Sequence, residues 1–293
     1  MKIGVVGLGR MGHAISHRLN ENGFDVIGWD RSDKARAAAS GRGIRVAGRA
    51  QAVAAEAEMV ISIITEDSGV RGLFRGKDGF LAADIKGRLF IEMSTCQPMT
   101  SRALAPDVEA KGARLIDAPV LGSIPTVREG KLFVLAGGRA EDVERARAVL
   151  DKLARRVMHL GPIGAGCAMK LAVNLGLAGY IQALAESLAL GQQQGLTLDQ
   201  MLDVLKEAPT ANAWLNGKIG LLKGEEAPIT IDIQTLRKDV MSAVATGTLS
   251  GVGMPLSAGT LASLSAAVAH GWGAGDIGEL PRFFRECMVQ RYE

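Results

Sequence analysis

The sequence predicts an α/β fold class: a doubly wound parallel-sheet domain followed by an all-α domain, the two joined through one long helix. Up to about residue 160, short Val-, Ile- and Leu-rich runs alternate with amphipathic stretches, as βαβ units do when they stack into a parallel sheet. Past about residue 161 the strand signals stop, and the chain becomes alanine- and leucine-rich with glycine or proline punctuation. The length, 293 residues, suits two domains at roughly 100–200 residues each. The expected division is 1–162 and 163–293.

Strands are expected at 3–6, 26–29, 59–64, 89–93, 114–117 and 133–136, each a short β-rich run. Between them, 13–21, 100–109 and 140–153 space their apolar residues as amphipathic helices do. The segment 165–194 reads as one helix of about 30 residues, roughly 45 Å long, with Gly176, Gly179 and Gly191 inside it. Its apolar positions surround much of the circumference. Such a helix has to be buried on most sides, by later helices or by a second subunit, so a homodimer or homotetramer is expected.

Composition narrows the function classes. Apolar residues make up 47% and charged residues 22%, close to globular averages, which excludes a disordered or collagen-like chain. Lys and Arg number 34 against 31 Asp and Glu, a net +3 with the signs interleaved, so nucleic acid is not the expected partner. Cys96, Cys167 and Cys287 are scattered without metal-clip or redox-pair spacing, and His13, His17, His159 and His270 form no recognisable set, so no metal site is expected. No cleavable leader follows Met1, and no run of about 18 uncharged apolar residues occurs. A cytoplasmic protein without a membrane role is the expectation, in keeping with the cysteine usage.

The first strand runs into Gly7-Leu8-Gly9-Arg10-Met11-Gly12, and a helix follows. Gly7 permits the tight turn, Gly9 lets a pyrophosphate approach the backbone, and Gly12 lets helix and sheet pack closely. Asp30 lies 23 positions past Gly7, at the end of the second strand, where a Rossmann-type dinucleotide site places its ribose-binding acid. A carboxylate there favours NAD, whereas Arg31 and Ser32 could hold the extra phosphate of NADP. Either cofactor fits. Ile64, which ends the 59–64 run, and Thr65 after it complete the candidate cofactor set on this half.

Lys170 and Asn174 stand at i and i+4 near the start of the long helix, so both project from one face. Their neighbours Met169, Leu171, Ala172 and Val173 are apolar, which argues against a plain surface lysine. Hydride transfer to or from an alcohol carbon needs a group that takes up or returns the hydroxyl proton. A lysine serves at neutral pH when its pKa falls from about 10.4 to roughly 7–8. A helix N-terminus supplies only about 0.3–1 kcal/mol of that change, so desolvation has to supply most of it. Asn174, both donor and acceptor, could orient the substrate. Cys167, on the same helix, reads as a small core residue. Trp214, in a loop-like stretch, could wall the substrate pocket or pack in the core.

These residues resemble the β-hydroxyacid dehydrogenase family, the group of 3-hydroxyisobutyrate dehydrogenase with 6-phosphogluconate dehydrogenase as a more distant member. The resemblance covers nearly the whole chain. The family's cofactor motif matches residues 7–12, and its Ser-Thr before a proline, which borders the nicotinamide, matches Ser94-Thr95 with Pro98. Its substrate loop resembles Asp117-Ala118-Pro119-Val120-Leu121-Gly122-Ser123 with Gly130. The catalytic Gly-x-Gly-x-x-x-Lys-x-x-x-Asn falls on Gly164 through Lys170 and Asn174, and a Lys-Asp pair near the cofactor falls on Lys238-Asp239.

The resemblance implies an NAD(P)-dependent oxidoreductase acting on a small 3-hydroxy acid or the matching semialdehyde, with Lys170 as general acid/base. It also implies substrate contacts at Ser94, Leu121, Gly122, Ser123 and Asn174, to which Trp214 is added from its own position, and cofactor contacts at Thr95 and Lys238. One departure is chemical: Leu121 stands where the family usually offers a serine, so the Gly122 and Ser123 amides or the Ser123 hydroxyl would have to bind the oxyanion. An imine reductase and a non-catalytic NAD(P)-binding module are the competing readings; retention of Lys170 and Asn174 argues against the first, though an apolar Leu121 does not, and retention of Lys170 argues against the second.

Overall fold

The computed structural model describes residues 1–289. Six strands form an all-parallel sheet: β1 (Lys2–Val6), β2 (Asp25–Trp29), β3 (Arg45–Val46), β4 (Met59–Ser62), β5 (Leu89–Glu92) and β6 (Arg114–Asp117). Their order is β3-β2-β1-β4-β5-β6, so the direction of winding reverses between β1 and β4. The crossovers are α1 (Arg10–Glu21), α2 (Asp33–Ser40), α3 (Ala50–Glu56), α4 (Asp67–Arg75) and α5 (Pro98–Ala110). Successive strand residues alternate between two cores. Ile3, Val5, Ile61, Leu89, Ile91 and Ile116 face one core, while Val6, Val60, Phe90 and Leu115 face the other. That is why the central strands read as unbroken apolar runs: helices cover both faces.

A second sheet, ordered β7-β8-β9, is made of β7 (Val120–Leu121), β8 (Leu132–Ala136) and β9 (Ala154–His159), with α6 (Ile124–Arg128) and α7 (Ala140–Leu153) between its strands. The sequence pattern finds β8 but misses β3, β7 and β9. Two-residue strands carry no periodicity, and β9 buries only Ala154 and Val157.

The chain divides into two compact units, Met1–Ala172 and the part from Val173 onward. The helix α8 (Ala165–Gln193), 29 residues long, begins in the first and continues in the second. The second unit also holds α9 (Leu198–Leu205), α10 (Ala213–Leu222), α11 (Ile233–Leu249), α12 (Pro255–Ala269) and α13 (Leu280–Phe283). Ile181, Leu236, Val240, Leu264 and Phe283 meet in its main core. The side chains of Thr197, Asn212 and Asp232 accept from the first-turn N–H groups of α9, α10 and α11, fixing where each helix starts.

Candidate active site

The first unit aligns the C-terminal ends of its strands in one row: Trp29 beside Val6, Val6 beside Ser62, Ser62 beside Glu92, and Glu92 beside Asp117. Ligands of open parallel sheets bind beyond such a row, at the reversal of strand order. Gly7, Asp30, Ile64 and Ser94 all lie just past it.

The three motif glycines are needed for different reasons. Gly7 has φ +93°, and a Cβ there would overlap the Ile63 carbonyl. A Cβ on Gly12 would overlap the Gly7 carbonyl oxygen, so α1 could not pack this close. Gly9 faces open space and is the N-cap of α1, with no side chain capping the helix. An uncapped helix N-terminus behind an open glycine is a cradle for an anion such as a pyrophosphate.

Asp30 fastens this cradle. The Leu8 N–H donates to its Oδ2 at 2.7 Å and the Ser32 N–H to its Oδ1 at 2.8 Å. Ser32 itself caps α2, its hydroxyl accepting from the Ala35 N–H. Gly7, Gly9, Asp30, Arg31, Ile64 and Thr65 line one cavity of about 480 Å³, and Arg31 is exposed at its edge. Of the remaining motif residues, Leu8 is buried, Met11 half-buried against the core, and Arg10 exposed.

At the ends of β5 and β6, the carboxyl groups of Glu92 and Asp117 are buried with no cationic partner within hydrogen-bond reach among the described residues. Ser62 Oγ donates to Glu92 Oε2 at 2.5 Å and the Ser94 N–H to Glu92 Oε1 at 2.8 Å. Burial pushes the Glu92 carboxyl up to about 7, against the hydrogen bonds from Ser62 and Ser94 that favour its charged form. Ser94, proposed from sequence as a substrate contact, is 1% exposed, and its hydroxyl accepts from the Ile64 N–H at 2.8 Å. It ties the β4 and β5 loops together. Asp117, on β6, accepts from the Gly164 and Cys167 N–H groups at the start of α8.

Lys170 is half-buried, three residues after Cys167 on α8 and therefore on the same helix face. Cys167 Sγ lies 3.5 Å from Cys96 Sγ, and Cys96 directly follows Ser94-Thr95. This contact sets the Lys170 face of α8 over the segment that the sequence assigns to the nicotinamide edge. In the substrate-loop candidate, Leu121 and Ser123 are half-buried and Gly122 exposed. The Ser123 amide is already engaged, donating to Thr126 Oγ1 at 2.6 Å, so it does not serve as the oxyanion donor considered above. The Ser123 hydroxyl is the polar group that loop can turn toward a substrate.

In the second unit, three residues named separately from sequence form one network. Asn174, 5% exposed, donates through Nδ2 to Asp239 Oδ2 at 2.6 Å, and Lys238 Nζ lies 2.6 Å from Asp239 Oδ1. A carboxylate only accepts, so the amide NH2 faces Asp239 and the Asn174 carbonyl oxygen points away from it. The sequence reading placed Asp239 only in the Lys238-Asp239 pair near the cofactor; its bond to Asn174, 65 residues away, has no signature in the spacing. Trp214 is on α10 rather than in a loop, half-buried and edge-on to Tyr180 at 6.0 Å.

The family model described as the NAD binding domain of 6-phosphogluconate dehydrogenase matches residues 2–161. The one described as NAD-binding of NADP-dependent 3-hydroxyisobutyrate dehydrogenase matches residues 164–284. The chain belongs to the β-hydroxyacid dehydrogenase family. It is 30% identical to glyoxylate/succinic semialdehyde reductase 1 of Arabidopsis thaliana over 98% of this chain and 100% of that one. It is 36% identical to 3-hydroxyisobutyrate dehydrogenase of Pseudomonas aeruginosa over 73% of this chain and 72% of that one. The 3-hydroxyisobutyrate dehydrogenase of Mycobacterium tuberculosis, solved with L-serine, superposes with a TM-score of 0.86 at 28% identity, covering 97% of this chain and 99% of that one. Family membership makes NAD or NADP the cofactor, and the glycine cradle, uncapped α1 and adjoining cavity fit it.

Proposed function

We propose that the protein is an NAD(P)-dependent oxidoreductase that interconverts a small 3-hydroxy acid and its semialdehyde or keto form, with Lys170 as general acid/base. The observation that carries this reading is that Lys170 shares a face of α8 with Cys167, which touches Cys96 next to Ser94-Thr95. The bound nicotinamide would accept or supply the hydride. The protein's own residues do the rest. Gly7, Gly9 and the start of α1 receive the pyrophosphate, Asp30 and Arg31 flank the adenosine ribose, and Ile64, Thr65 and Thr95 border the ring. Lys170 holds or takes the hydroxyl proton. Asn174, its amide plane fixed by Asp239, orients the substrate oxygen, with Lys238 completing that group. The Ser123 hydroxyl and Gly122 amide meet the carboxylate, with Leu121 as the apolar residue of that loop; in the helical unit, Trp214 on α10 is a further candidate substrate contact.

Candidate substrates are those named for the relatives: 3-hydroxyisobutyrate, L-serine, and glyoxylate or succinic semialdehyde in the reductive direction. The test is a matrix of these acids against NAD(H) and NADP(H), followed by absorbance of the reduced nicotinamide. In the active pairing, Lys170→Ala is expected to fold and bind cofactor while kcat falls by about 10²- to 10⁴-fold. Retained turnover would remove Lys170 from the mechanism.

Self-association belongs to the same reading. Leu190, Val204, Leu249, Val252 and Leu256 of the second unit are each more than half exposed, an apolar surface that a second copy would cover in a homodimer or homotetramer. The unbridged thiols fit a reducing, cytoplasmic setting.

A further inference from the structure

The helix that carries Lys170 has no cap of its own. The residues leading into it, Gly161-Pro162-Ile163-Gly164-Ala165-Gly166, offer no side-chain acceptor for the first-turn N–H groups. A carboxylate from a different strand supplies it. Gly164 N–H donates to Asp117 Oδ1 at 2.6 Å, and Cys167 N–H donates to Asp117 Oδ2 at 2.7 Å, so each oxygen takes one donor. Asp117 is fully buried, and its own backbone is pinned on both sides, its N–H donating to the Gly137 carbonyl and its carbonyl accepting from the Gly137 N–H.

The surroundings leave room for the carboxylate. A Cβ at Gly137 would run into Asp117 Oδ1, and one at Gly166 would crowd Oδ2 and overlap the Leu135 carbonyl. Gly164 has φ +90°, which turns its N–H inward. The glycines on both sides let the carboxylate seat against bare backbone.

We propose that Asp117 is a positioning residue for the proton relay: from the end of β6 its carboxylate caps the first turn of α8 and thereby fixes where Lys170 stands. The proposal rests on Lys170 being that relay. Lys170 follows the capped Cys167 by less than one turn, so a first turn that frays carries the lysine with it. Misplacement by about 1 Å can slow a reaction by roughly 10²-fold even when it originates away from the chemistry. Burial pushes the Asp117 carboxyl above its ordinary range, while the amides of Cys167 and Gly164 pull it back toward the charged form that caps best. Asp117 touches no reacting atom in this scheme, and acts through α8.

The test is a double-mutant cycle on the full-length enzyme with the pairing of the panel that turns over, oxidised cofactor for a hydroxy acid or reduced cofactor for glyoxylate or succinic semialdehyde. Asp117→Asn keeps one acceptor but puts an amide NH2 against a backbone donor. It is expected to lower kcat by roughly 10- to 100-fold, with KM and cofactor affinity little changed. In a Lys170→Met background the same change is expected to add nothing, because a relay that is gone cannot be misplaced. An equal loss in both backgrounds, as a smaller folded fraction would give, overturns the proposal. If Asp117→Asn does not fold, Asp117→Ser, which still accepts from one amide, carries the cycle; if neither folds, Asp117 is a folding residue and the proposal falls. Full turnover in Lys170→Met alone would sink the reading of Lys170 itself, and is told apart because it needs no Asp117 variant.

Discussion

Two buried carboxyl groups of each unit are held in opposite ways. In the first, Glu92 and Asp117 are fully buried, and their hydrogen bonds come from a serine hydroxyl and backbone N–H groups. In the second, Asp276 pairs with Lys218 Nζ at 2.7 Å and Asp239 with Lys238. Asp276 also accepts from the Thr230 and Gly278 N–H groups. The difference teaches what each acid is for. A carboxyl held by neutral donors locks a loop without placing a cation beside it, whereas a buried lysine–carboxylate pair sets one charge against another and is sensitive to loss of either member.

The two schemes give opposite pH dependence. Glu92 titrates at about 7 in the folded chain against an ordinary 4.5, so between those values the folded state holds more protons and stability falls as pH rises. For Asp276, burial pushes the pKa up, but the Lys218 ammonium and the Gly278 and Thr230 N–H groups outweigh it and hold it below 3.8. Its contribution is full above that value and is lost as pH falls through the folded pKa.

The largest expected effect comes from breaking a pair. Lys218→Met leaves Asp276 charged and without its cation, and is expected to destabilise the protein by about 3–5 kcal/mol in urea unfolding followed by circular dichroism. A loss under about 1 kcal/mol would mean that the hydrogen bonds alone suffice for Asp276. Next is Glu92→Gln, whose amide can donate to Ser62 Oγ and accept from the Ser94 N–H. Its stability gain over the parent is expected to grow by roughly 2 kcal/mol from pH 5.5 to pH 8, since only the parent must bury a charge. A gain that stays flat with pH would show that Glu92 does not ionise in this range. The smallest effect sharpens the contrast from outside: Lys131, paired with the exposed Glu129, is expected to change stability by no more than about 0.5 kcal/mol on Lys131→Ala.

Much of the architecture was legible because the relevant signals are local. Buried parallel strands read as apolar runs, and Gly7 and Gly12 sit where a side chain would overlap backbone. Lys170 and Asn174 stand out as polar positions on an apolar helix. What escaped is non-local or short. The donors to Asp117 are 47 and 50 residues away, and the donor to the Ser94 hydroxyl is 30 away, so no spacing rule reveals either bond. The helix carrying Trp214 was missed although Asn212 is a good N-cap, because Gly217 and Gly220 dilute a helix of only ten residues.

Trp29 ends β2 and stands on the wall of the glycine-cradle cavity, while Trp214 and Trp272 belong to the helical unit. An indole at that spot emits where reduced nicotinamide absorbs, so the molecule carries its own optical reporter. Ultraviolet emission should dim as the coenzyme docks, and Trp29→Phe supplies the dark reference against which arrival can be timed without any added dye.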